Sequence, residues 1–170
     1  MLVRAAQIAL DAAEKKSAGW LYEVLSAITF SALAVEAVTN AVGARAIAAW
    51  DDVERTPTTD KLKLLADHLS LGYEAKKEPW TGARWLVRVR NDIAHAKPEL
   101  VRQDQVMTQE HYDVVCFELP ESKLERQLTH GNARRAVRTA EKIKDLLCLA
   151  LPAEQRAGLI ADGATRSISR

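Results

Sequence analysis

The chain has 170 residues, 48% hydrophobic and 28% charged, with only 7 Gly and 5 Pro. That length suits a single domain with a sizeable core, and stretches rich in Ala, Leu, Glu, Lys and Arg favour an all-α fold. A formal charge of +1 excludes a global basic field, so any contact with nucleic acid has to come from a local patch. The two cysteines, Cys116 and Cys148, lack metal-ligand spacing and read as buried free thiols. The first residues carry charges through an amphipathic pattern and do not resemble a signal peptide. The apolar run from Ile28 to Val35 is too short to span a bilayer. The expectation is a soluble, cytoplasmic protein with no membrane contact, no cofactor and no metal.

Residues 2 to 16 form the first predicted helix, with Val3, Ala6, Ala9, Leu10 and Ala13 on one face and Ser17-Ala18-Gly19 as its break. A long helix is predicted from about Trp20 to Trp50, where Leu21, Val24, Leu25, Ile28, Ala32, Val35, Val42 and Ala46 trace a stripe close to a heptad. Glu36 and Asn40 lie four apart on one flank of that stripe; pattern alone serves a solvated pair equally well. Thr58-Thr59-Asp60 supplies capping chemistry for a short helix ended by Gly72, with Leu62, Leu65 and Leu69 inward and His68 at the surface.

After a polar loop, Tyr73 to Glu78, Pro79 opens the segment PWTGARWLVRVRNDIAHAKP. Gly82, Trp85, Leu86, Val89 and Ile93 form its apolar stripe, and Pro98 ends the helix near Ala96 by disfavouring the α region at Lys97. His95 then falls in the last turn, with Arg84, Arg88, Arg90, Asn91 and Asp92 on the remaining surface. Residues 99–119 include the β-branched, aromatic run EHYDVVCFELP, which suits a short strand, a hairpin partner or a packed loop. His111 and Cys116 in it do not make a metal site. The helical period returns in PESKLERQLTH. Gly131-Asn132 marks a turn, with Asn132 as N-cap of a last long helix whose buried stripe is Ala136, Ala140, Ile143, Leu147 and Leu151. Arg134, Arg135, Arg138, Lys142 and Lys144 cover its other faces, an arrangement typical of a solvated surface. A short helix is expected over 153–162 and a flexible tail over 163–170.

The residue types on the central helix suit phosphate chemistry. An imidazole exchanges protons near neutral pH, and a guanidinium presents a fixed fork of donors to phosphate oxygens. On an ideal helix, His95 lies beside Arg84, Arg88 and Asn91, while Arg90 is about 140° away on the other flank. Bringing Arg90 and His95 together requires an unwound last turn, an arginine that folds over, or residues from two chains. Asp92 is spaced to pair with Arg88.

Arg90 followed by Asn91, with His95 five positions on, resembles the R-polar-x3-H motif of the HEPN domain family. The stretch WLVRVRNDIAHAKPE resembles that family's motif helix along its length, and ALAVEAVTNAV resembles its long second helix. The likeness covers roughly residues 18–150 of a single 1–170 domain, with 99–119 longer and more β-like than a minimal HEPN bundle. The resemblance implies an all-α, HEPN-like antiparallel helical bundle that acts as a homodimer with the motif near the interface. It also implies a metal-independent endoribonuclease leaving 2′,3′-cyclic phosphate ends. In that role His95 is the acid/base, Arg90 the phosphate clamp and Asn91 an auxiliary polar group. Glu36 and Asn40 orient His95, and Arg84 and Arg88 bind phosphate or RNA. Members of this kind act as toxins beside a cognate antitoxin or in phage defence. The alternatives are a non-catalytic nucleotide-binding or nucleotidyltransferase-partner module, and a purely structural helical dimer held by Arg90 and Asp92.

Overall fold

The structure is a computed structural model that describes residues 1–53, 55–95, 100, 106, 108–110 and 121–159. The expected strand with His111 and Cys116, and the expected tail over 163–170, lie outside the described residues. Those described form six α-helices and no strand. They are α1 (Leu2–Glu14), α2 (Leu21–Ala46), α3 (Trp50–Val53), α4 (Thr58–His68), α5 (Trp80–Ala94) and α6 (His130–Ala150). Two 3₁₀ turns, Glu125–Gln127 and Ala153–Gln155, complete the regular structure.

The packing is built on α2, which touches each of the other five helices. Only Tyr22, Ala37, Ala44 and Arg45 along it are exposed. By length and mean hydropathy, 1.5 over its most apolar window, α2 qualifies as long and apolar enough to cross a membrane, which the short run seen in the sequence did not suggest. Its buried residues, from Val24 to Gly43, pack under neighbouring helices, and a helix with neighbours on several sides carries apolar residues on more than one face. The hydroxyls of buried Ser31 and Thr39 donate to the carbonyls of Ala27 and Val35, each at 2.7 Å, so neither leaves a polar group unmatched.

Several helix ends differ from the sequence expectation, each for a local reason. The second helix stops at Ala46 and does not run to Trp50: Ile47 turns extended (φ −123°, ψ 115°). Trp50 then folds back so closely that a Cβ at Gly43 would collide with its indole. Pro57, not a Thr or Asp side chain, stands at the N-cap of α4. That helix closes at Ser70, before Gly72, with Ser70 at φ 56° and the Leu71 N–H donating to the Ala66 carbonyl at 2.8 Å. The last long helix begins earlier than Asn132, because the Thr129 hydroxyl accepts from the Asn132 N–H at 3.1 Å and places Gly131 inside the first turn. In 120–130, Ser122 and Glu125 make a reciprocal capping box (3.1 and 2.7 Å), yet only one 3₁₀ turn follows before Leu128 is buried. The expected helix from Ala153 is likewise one 3₁₀ turn among the described residues.

The stripe read for α6 is buried as expected, and so is Cys148, whose thiol pKa burial pushes above the ordinary value. Its basic face is tied into the fold: Arg134 pairs with Glu14 at 2.6 Å and Arg135 with Glu78 at 2.8 Å.

The contact of α5 with α6 is tight. A Cβ at Gly82 would meet the Thr139 side chain, with Cγ2 at 2.9 Å and its hydroxyl closer still, and the Glu78 carboxylate at 2.7 Å. Gly82→Ala is therefore expected to destabilise the fold by about 1–3 kcal/mol, the usual cost of overpacking. Urea unfolding checks it; an unchanged midpoint would mean that α5 and α6 separate at little cost.

Candidate active site

The helix α5 buries Trp80, Gly82, Ala83, Trp85, Leu86 and Val89, which sets its rotation, and it carries a polar contact at each end. At its N-terminal end, one Glu78 oxygen accepts the Gly82 N–H at 3.1 Å and the other pairs with Arg135. That bond satisfies one of the donors a helix start leaves open. The Arg135 guanidinium also lies 5.3 Å over the Trp85 ring, while the Trp85 indole donates to Gln127 at 3.1 Å. At its C-terminal end, Arg90 reaches Glu36 on α2 at 3.4 Å and donates to the Asn91 side-chain oxygen at 3.1 Å.

This rotation turns Arg84, Arg88, Asn91 and His95 outward, all four exposed. On helical spacing they fall within about 60° of one another, a ladder up one face. His95 is not in the last turn but is the C-cap itself: its backbone leaves the helix (φ −124°, ψ 38°) while its N–H still donates to the Asn91 carbonyl at 2.9 Å. Among the described residues, no hydrogen bond or ion pair engages its ring. With α5 helical through Ala94, Arg90 stays on the flank facing α2, and the exposed Asn91 accepts from it through its side-chain oxygen. Arg88, Asn91 and Asp92 line a surface cleft of about 640 Å³ that continues to Arg84 and Thr59.

The two residues expected to approach His95 from α2 do something else. Glu36 reaches Arg90, and Asn40 accepts from the Lys61 ammonium at 2.7 Å. Lys61, only 3% exposed, was not singled out from the sequence, where it reads as part of a solvated first turn in TTDKLKLL. Its spacing of four from Leu65 and eight from Leu69 was the available signal, since it places Lys61 on the inward face. The seam where α2 meets α4 and α5 thus carries two polar links, Glu36–Arg90 and Asn40–Lys61. Among the described residues, no group of three His, Cys, Asp or Glu side chains could hold a metal ion.

Lys61→Met keeps the aliphatic stem and removes the donor, leaving the Asn40 oxygen without that partner. The expected cost is about 1–3 kcal/mol, read as a lower midpoint in chemical denaturation; an equal or higher midpoint would show that the link is dispensable.

In comparisons with known proteins, no family model, no curated protein and no solved structure matches this chain.

Proposed function

We propose that the chain is a HEPN-like antiparallel helical bundle that cleaves RNA endonucleolytically without a metal ion, through Arg90, Asn91 and His95. The observation that carries this reading is the placement of Arg90 by Glu36 beside Asn91, on the helix whose outward face ends in an exposed His95. The imidazole takes the proton of a ribose 2′-hydroxyl, and the 2′-oxygen attacks the adjacent phosphorus. The 5′-oxygen leaves with a proton from an acid, giving a 2′,3′-cyclic phosphate. Arg90 offers the crowded phosphate a planar, fully charged donor fork, and Asn91 adds a neutral one. One imidazole per chain serves as base or acid but not both at once, so a homodimer with two copies of α5 facing each other supplies the pair. The biological setting this fits is a cytoplasmic toxin or phage-defence effector held in check by a cognate antitoxin.

The cleft beside the ladder favours a second reading. Arg84 and Arg88 line it, so the same face suits a nucleotide-binding or nucleotidyltransferase-partner module that holds phosphates without cutting. Nucleotide binding by calorimetry with no RNA turnover would select this version.

Incubation of mixed RNA with the purified protein in EDTA, beside Arg90→Ala and His95→Ala, tests the first reading. Each variant is expected to cut at least ~10²-fold more slowly than the parent, the usual contribution of a positioned acid or base for His95 and of a charge-stabilising donor for Arg90. Equal cleavage by parent and variants would overturn it.

A further inference from the structure

A second cleft, about 470 Å³, lies between α4, the 73–78 loop and α5, lined by Thr59, Asp60, Lys63, Tyr73, Ala75 and Arg84. It shares Thr59, Ala75 and Arg84 with the cleft at Arg88 and Asn91, so the two form one groove from Tyr73 towards the motif. We propose that this groove is a single-stranded RNA subsite. In it Tyr73 stacks under the base of a nucleotide neighbouring the scissile one, and Lys63 and Arg84 hold the phosphates on either side. The inference rests on the endoribonuclease reading and extends it to the substrate's form.

Three features support an RNA strand as the occupant. The first is a fixed aromatic platform. Tyr73 is half-buried, its ring tilted 47° against Trp80 at 5.1 Å, so stacking on it costs little ordering, and stacking tolerates any base. The second is free cationic charge. Among the described residues Lys63, Arg84 and Arg88 form no ion pair, in contrast to Arg134 and Arg135 on α6. Arg84 is steadied in the groove by the Ala75 carbonyl at 3.4 Å. The third is length. Arg84 and His95 are about 16 Å apart along the helix axis at 1.5 Å per residue, a span that takes a strand and exceeds a mononucleotide. The lining is of mixed sign, with Asp60 and Asp92 present. Carboxylates repel phosphates and acidic side chains alike, but they accept hydrogen bonds from base amino groups, a contact that acidic side chains do not offer, and this favours nucleic acid over an acidic protein.

The test uses the 170-residue His95→Ala protein, in which cleavage is expected to be at least ~10²-fold slower, and a fluorescein-labelled RNA octamer of mixed sequence, with affinity read by fluorescence anisotropy. Adding Tyr73→Ala is expected to weaken binding about tenfold, in the range of one lost base stack, while Tyr73→Phe restores it. Adding Lys63→Gln, an exposed position, is expected to lower the slope of log affinity against log salt by about 0.7, one phosphate contact on a single strand. Circular dichroism confirms that each variant is folded; should Tyr73→Ala not fold, Lys63→Gln and Tyr73→Phe still decide the matter. Unchanged affinity and salt slope in Tyr73→Ala and Lys63→Gln would overturn the subsite while leaving cleavage by the parent to judge the nuclease reading. The expected losses in a protein whose parent cuts no RNA would retain the groove as a strand-binding site and reject the nuclease. No octamer binding, or displacement of the octamer by poly-Glu with Tyr73→Ala without effect, would overturn the proposal, the latter in favour of an acidic protein partner.

Discussion

The arrangement of the candidate face on α5 depends on the packing of α2. That helix touches each of the other five, and on the seam it shares with α4 and α5 it offers two polar side chains, Glu36 and Asn40, one helical turn apart. Each is met by a cation from a different helix, Arg90 from α5 and Lys61 from α4. Both side chains of the Glu36–Arg90 pair are about one-third exposed, 33% and 36%, and such pairs contribute only about 0–1 kcal/mol. Its importance is therefore directional. It sets where a guanidinium points, on a helix whose stability comes from elsewhere.

That stability comes from the opposite face of α5. Trp80, Trp85, Leu86 and Val89 are buried, and large apolar side chains contribute roughly 1.5–3 kcal/mol each when fully buried, far more than the ion pair. Because Gly82 lets α5 approach Thr139 closely, and Glu78 ties the helix start to Arg135, the helix has little freedom to rotate. A rotation of one residue would carry the ladder from Arg84 to His95 off the outward face. Packing at one end of α5 thus decides what chemistry the other end presents.

Much of this was legible in sequence because it is periodic. The stripe from Gly82 to Val89 and the stripe of α6 from Ala136 to Leu151 are local patterns, and both are buried as the spacing requires. The outward grouping of Arg84, Arg88, Asn91 and His95 follows from the same rotation. What sequence did not reveal depends on contacts between distant residues or on competition between neighbouring caps. The end of α2 is determined by Trp50 folding onto Gly43, and the start of α6 by Thr129 acting as cap three residues before Asn132. The spacing of Lys61 from Leu65 and Leu69 marks an inward face, but only the position of α2 shows that it meets Asn40. Glu36 approaches the motif as the resemblance implies, and the residue it reaches there is Arg90, the side chain that the helical rotation leaves facing α2.

The central claim, that Glu36 on α2 positions the guanidinium proposed to clamp phosphate, is tested most directly by a double-mutant cycle on RNA cleavage in EDTA. Rates are measured for the parent, Glu36→Gln, Arg90→Ala and the double variant, with folding checked in each. If Glu36 acts by holding Arg90, Glu36→Gln slows cleavage in the parent and has no further effect once Arg90 is alanine. Independent, additive losses from the two substitutions would contradict the account, and so would full activity in Glu36→Gln.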